Sequence, residues 1–141
     1  MTAFYLEALS PERAFYTGEC VSATVPLQDG QYGILANHLR LIAAVVPGEA
    51  TFVKPDGTKI VCAVSQGMID VRDNRVRMLC ESILLPEEID EESERRGAET
   101  AAEDMKGKQS RKEYLLSQIM FARAVNNIRV KKHGTSAINI K

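Results

Sequence analysis

Two histidines, three cysteines, a glycine-containing segment and a run of carboxylates are the features of this chain whose chemistry could serve a reaction, a metal or a nucleotide. His38, in Ala36-Asn37-His38-Leu39, could act as a base near neutral pH. No second ligand or nucleophile stands at a spacing that would complete a site around it, and a loop histidine that hydrogen-bonds the backbone is the simpler reading. His133 follows Lys131 and Lys132 in the tail. Cys20, Cys62 and Cys80 form an odd set without CxxC spacing, each inside an apolar stretch, which reads as three reduced core residues. Gly30-Gln31-Tyr32-Gly33-Ile34-Leu35 lacks both the closing Gly-Lys-Ser/Thr of a phosphate loop and the third glycine of a dinucleotide fingerprint. Its glycines are expected to serve a tight turn. Glu87, Glu88, Asp90, Glu91 and Glu92 gather negative charge, but consecutive side chains on a helix diverge, so no cation site is expected. The residues thus predict no catalytic group, no metal and no resident cofactor.

The elements that must carry these residues fall into two grammars. From Phe4 to Leu85 short β-rich runs alternate with turn residues: Phe4–Leu9, Cys20–Leu27, Ala50–Lys54, Lys59–Val64, Met68–Arg72 and Arg75–Cys80, with shorter pieces near Tyr32–Leu35 and Leu41–Val46. Pro55-Asp56-Gly57 is a hairpin turn signal, since proline presets φ and glycine accepts φ > 0. Asp73-Asn74 joins the next pair, with Val76, Met78 and Cys80 alternating against Arg75 and Arg77. Short strands at intervals of about ten residues without intervening helices point to an antiparallel sandwich or barrel.

Beyond Pro86 there is no further proline and helix formers dominate. Pro86-Glu87-Glu88 suits a helix start, giving a first helix to about Asp104 whose apolar stripe is Ala98, Ala101, Ala102 and Met105. After a break at Gly107, Ser110-Arg111-Lys112-Glu113 has the form of a capping box. The second helix is expected to end near Val130, with Lys131, Lys132 and His133 at the negative end of its dipole and Gly134 as terminator. Its apolar residues Leu115, Leu116, Ile119, Met120, Phe121, Ala122, Ala124, Val125 and Ile128 wrap far more than one face, more than an alanine stripe can cover. Such an excess requires the β-half or another protein.

Charge separates along this hairpin. Residues 87–104 hold nine acids and two bases, a net of −7, whereas residues 105–141 hold nine bases and one acid, a net of +8. Either the helices attract each other, or the basic one also meets an acidic surface elsewhere. The whole chain of 141 residues is nearly neutral at −1, with 45% hydrophobic and 26% charged residues. That composition fits a globular protein and argues against nucleic acid as partner. No apolar run approaches the roughly 18 residues of a membrane span, and Met1 to Glu7 lacks the regions of a signal peptide, so retention in the compartment of synthesis is expected.

The run Gly30 to Leu41, GQYGILANHLRL, resembles a signature of the epsilon subunits of bacterial F-type ATP synthases. Val46-Pro47-Gly48, Ser65-Gln66-Gly67-Met68-Ile69-Asp70-Val71 and Asn127-Ile128-Arg129-Val130 resemble further stretches of that family in the same order, so the resemblance covers residues 3–130. It implies a β + α protein: an N-terminal antiparallel β-sandwich of about ten strands (1–85), docking on the gamma subunit and the c-ring, then a C-terminal antiparallel α-helical hairpin (86–141) that is regulatory. It implies a non-catalytic central-stalk subunit, peripheral at the cytoplasmic face of the cell membrane. Such a subunit couples proton flow to ATP synthesis and can oppose hydrolysis when its second helix extends toward the alpha and beta subunits.

By the same resemblance Arg111, Lys112, Arg123 and Arg129 are inhibitory contacts, and Gly30, Tyr32, Gly33 and His38 lie in a rotor-docking segment. Some members bind ATP through an Ile/Leu-Asp-x-x-Arg-Ala pattern. Here Ile89 and Asp90 match, but Ser93 and Glu94 replace the arginine and alanine, so tight ATP binding is not expected. The alternative from a different class is a free-standing small-ligand-binding or sensory module.

Overall fold

The computed structural model describes residues 2–106 and 111–138, and side chains over 2–105 and 113–132. The chain divides into two compact units, Met1–Leu85 and Pro86–Lys141.

The first unit contains β1 (Phe4–Leu9), β2 (Ala14–Cys20), β3 (Ser22–Leu27), β4 (Gly30–Leu35), β5 (Leu41–Val45), β6 (Gly48–Val53), β7 (Lys59–Val64), β8 (Gly67–Arg72), β9 (Arg75–Cys80) and β10 (Ile83–Leu84). The hydrogen-bonded order is β10-β7-β6-β3-β5-β8-β9-β1-β2, with β4 on β3. Neighbours are antiparallel except β1, which runs parallel to β9 with Leu6 opposite Val76. Strand β3 faces β6 from Ser22 to Thr24 and β5 at Leu27. The change of partner coincides with Pro26, which has no N–H to give a ladder and whose carbonyl accepts from Val46 N at 3.1 Å. A Cβ on Gly48 would lie 2.5 Å from Pro26 Cβ, so glycine there makes room for the proline ring. The path therefore folds into two layers, and Arg13 Nη2, just ahead of β2, donates to Ile83 O of β10 at 3.2 Å.

Both layers feed one core, in which Phe4, Leu6 and Met78 meet Val25, Phe52 and Val64. Burying such side chains contributes about 1.5–3 kcal/mol each. The alternation in β9 holds, with Val76, Met78 and Cys80 inward and Arg75, Arg77 and Leu79 outward. The two turn signals are built as their residues dictate. Gly57 (φ 90) closes on Lys54 O at 2.9 Å while Asp56 Oδ1 takes Thr58 N at 2.8 Å, and Asp73 and Asn74 both adopt positive φ, as a two-residue hairpin loop of the favoured type requires. Strands β2 and β10 were absent from the sequence reading. The first is an outer strand with few buried residues and a glycine at its centre, so it lacks the alternation that marks a half-buried strand; the second is two residues long.

The second unit departs from expectation at the start of its first helix and the end of its second, whereas α2 opens at Arg111, where the capping-box pattern put it. Pro86–Glu88 forms a separate 3-10 turn, and α1 spans Glu91–Lys106. The helix starts late because Asp90 caps it, its Oδ1 accepting from Glu92 N at 3.2 Å and its carbonyl from Glu94 N at 2.9 Å, which satisfies N–H groups that a helix cannot pair internally. The second helix, α2, runs Arg111–Ile138, past Val130 and through Gly134. A single glycine costs a helix only about 1 kcal/mol relative to alanine, and no proline follows. Gly107 and Ser110, the expected break and cap, lie outside the described residues. Ala98 and Ala101 of α1 are buried. Lys132 Nζ, in the C-terminal third of α2, reaches Glu91 Oε1 at the start of α1 at 3.6 Å, as an antiparallel pair of helices brings them together.

Gly67 is the tightest point of the sandwich: a Cβ there would fall 1.9 Å from Leu79 O and 2.7 Å from Cys80 Cα. Backbone cannot yield as a side chain does, so Gly67→Ala is expected to cost roughly 3 kcal/mol or more, lowering the thermal midpoint by at least about 10 °C. Gly33→Ala, where no atom lies within 4 Å, serves as the control in the same melt.

Candidate partner-binding surfaces

The first surface is the segment Gly30 to Leu41. Gly30 takes φ 121 at the mouth of the β3–β4 hairpin, a backbone angle that side chains resist. Gly33 does not serve a turn: it lies within β4, paired with Thr24, on an open face. Past β4 the chain turns at Asn37 (φ 62) and places His38 against Tyr32, rings edge to face at 5.5 Å. His38 Nδ1 meets Leu39 O at 2.6 Å and Nε2 meets the Tyr32 hydroxyl at 2.8 Å. A carbonyl can only accept, so in the neutral ring Nδ1 holds the proton and Nε2 accepts from the phenol. This arrangement spends both ring nitrogens on holding the loop. Around it Leu35 and Leu39 stand outward, Leu39 84% exposed.

The second surface is α2. Leu115, Leu116, Ile119, Met120 and Val125 are all exposed, Met120 by 62%. Tyr114 joins them, and at 100° per residue the set spans roughly 240° of the helix. Of the four basic residues read from the sequence, two have described side chains, Arg123 and Arg129. Arg111 and Lys112 open the helix with side chains outside the described residues. Arg123 lines a shallow groove with Ser93, Glu94, Gly97, Met120 and Ala124. Arg129, about 120° away around the axis, folds back so that its Nη2 donates to Asn126 Oδ1 at 2.9 Å. Both arginines of α1 pair within the helix, Arg95 on Glu91 at 2.9 Å and Arg96 near Glu92 at 3.9 Å; exposed pairs of this kind contribute about 0.5 kcal/mol or less.

Ile89 and Asp90, the two matches to a nucleotide pattern, have structural tasks: Ile89 is buried and Asp90 is the helix cap. In the groove, Glu94 adds a carboxylate beside Arg123, a poor surrounding for a triphosphate. The three cysteines are free and buried. Burial pushes the Cys80 thiol up to about 12 and raises Cys62 and Cys20 as well, so none offers a thiolate at neutral pH.

Residues 3–86 match the family model of the ATP synthase delta/epsilon chain, beta-sandwich domain. The chain is 32% identical over 127 residues to the ATP synthase epsilon chain of Caldanaerobacter subterraneus subsp. tengcongensis, covering 90% of this chain and 92% of that one. It belongs to the ATP synthase epsilon-chain family. A second relative, the epsilon chain of Dichelobacter nodosus, is 38% identical over 91 residues, a match that spans 64% of each chain. Among solved structures, a chain of the Euglena gracilis mitochondrial ATP synthase (OSCP/F1/c-ring, rotational state 1) superposes with a TM-score of 0.75 at 19% identity, covering 89% of this chain and 79% of that one. That likeness shows the sandwich-plus-hairpin fold. An epsilon chain is a non-catalytic stalk subunit. Among the described residues no helix is long and apolar enough to cross a membrane.

Two residues have surroundings that the sequence did not indicate, although Asn74 stood there in a turn and Asn127 in a resembling stretch. Asn74 ties three segments of the sandwich together, and Asn127 is 2% exposed in α2 with its Nδ2 unpartnered among the described residues. A buried unpaired amide costs about 1–3 kcal/mol. Asn127→Leu is therefore expected to stabilise the folded chain by about 1 kcal/mol, seen as a higher thermal midpoint by circular dichroism; an equal loss would mean that the amide is satisfied.

Proposed function

We propose that this chain is a central-stalk rotor subunit that couples proton-driven rotation to ATP synthesis carried out on other chains, and that its hairpin restrains ATP hydrolysis. The observation that carries this reading is the exposed apolar surface of α2, from Leu115 to Val125, on a segment of strongly positive charge. A helix keeps such a surface in water only at a cost in free energy, and a partner chain removes that cost. In this reading residues 1–85 dock on the gamma subunit and the c-ring, with Gly30, Tyr32, Gly33 and His38 in the docking segment. Residues 86–141 are the regulatory hairpin, and Arg111, Lys112, Arg123 and Arg129 contact acidic surfaces of the alpha and beta subunits. The chain is a peripheral component of a membrane-associated complex at its cytoplasmic face.

Two compact units make the decisive experiment a truncation after Leu85, assayed in the assembled synthase. Assembly is expected to persist while ATP hydrolysis rises severalfold; unchanged hydrolysis would remove the restraint from the hairpin. The groove beside Glu94 and Arg123 supports a second proposal, that the hairpin does not sense ATP. Titration calorimetry of the isolated chain with ATP is expected to give no heat of binding at micromolar concentrations, and a micromolar dissociation constant would reverse that assignment.

A further inference from the structure

Asn74 occupies the second position of the β8–β9 turn at φ 58, directly after Asp73 at φ 51. Asparagine tolerates this left-handed conformation better than most residues, which leaves its side chain available for work outside the turn. Its carbonyl and both polar atoms of its side chain are engaged. Its carbonyl accepts from Tyr5 N at 3.2 Å and its Nδ2 donates to Ala3 O at 2.9 Å, holding the start of β1. Its Oδ1 accepts from Asn37 N at 2.7 Å.

That last bond reaches the loop between β4 and β5, where Asn37 itself has φ 62. Asparagine tolerates this region too, and the short bond that its N–H gives to Asn74 Oδ1 holds it there. On the far side of Asn37 the loop is held again by His38, between Leu39 O and the Tyr32 hydroxyl. The loop is thus held at Asn37 and again at His38, immediately ahead of the exposed Leu39. Tyr32 and Ala36 pack against the core, whereas Leu39 itself stands out from it.

We propose that Asn74 is the positioning residue of the docking tip: from the β8–β9 turn it fixes Asn37 and so presents Leu39 in one conformation before any partner arrives. The inference rests on the reading above that Gly30 to Leu41 is a docking segment. Pre-ordering a contact loop removes part of the entropic cost of association, so loosening it weakens binding without deleting a contact.

The test uses the full-length chain. Asn74→Gly keeps the positive-φ turn and removes both side-chain bonds; Asn74→Asp keeps an acceptor for Asn37 N. In Asn74→Gly, hydrogen exchange at the Asn37 amide is expected to rise at least tenfold and affinity for synthase stripped of its epsilon chain to fall about tenfold, with Asn74→Asp restoring most of both. An unchanged Asn37 amide in Asn74→Gly would overturn the clamp. A loosened amide with undiminished affinity would overturn its role in docking. Leu39→Asp reports on the underlying reading: if it leaves affinity unchanged, the docking segment itself is wrong, whatever Asn74 does to the loop.

Discussion

Strand β3 serves two layers at once, and the sandwich depends on how it does so. Along Ser22 to Thr24 it extends the ladder of β6, and at Leu27 it meets β5. A continuous strand could not change partner without leaving a ladder donor unpaired in the interior. Pro26 has no such donor, and Gly48 supplies the space its ring fills. From that point the two layers diverge, and their inward residues meet again as a single core. The segment Gly30 to Leu41 leaves this same region, since β4 lies along β3 over its full length.

The helical unit is governed by a different balance. Its small-residue stripe, Ala98 and Ala101, lets the helices approach closely, yet alanines cover little of the neighbouring helix. The ion pairs described are exposed and individually weak, and α2 carries a buried amide whose nitrogen has no partner among the described residues. Modest cohesion of this sort is what the proposed exchange of partners would need, because two arrangements of similar free energy can be shifted by small differences in contact. Exposed leucines and methionine on α2 are then binding surface in reserve.

Between these units the polar chemistry is spent on architecture. His38, the one histidine with described surroundings, has both nitrogens engaged. Asp90 caps a helix, and the cysteines are core residues whose thiols burial keeps protonated. Ser65 and Ser82 bind each other, with Ser82 N on Ser65 Oγ at 2.7 Å, to secure the short β10. The groups that would be nucleophiles, bases or ligands in an enzyme here set the positions of surfaces.

Much of this was legible in the residues. Alternation fixed the inward and outward faces of β9, Pro55-Asp56-Gly57 and Asp73-Asn74 announced their turns, and the spread of leucines around α2 announced a surface too large for one alanine stripe. These are properties of a chain read over a few neighbours, where period and turn chemistry decide. The tertiary structure alone decided that β1 lies parallel to β9, that Ala14–Cys20 is a strand, that β3 changes partner at Pro26 and that Asn74 reaches Asn37. Each joins residues far apart in sequence through backbone bonds or a single side chain, and such pairings leave no periodic trace in either segment. Their register is set by how the shared core packs, and that is settled only when the whole chain is folded.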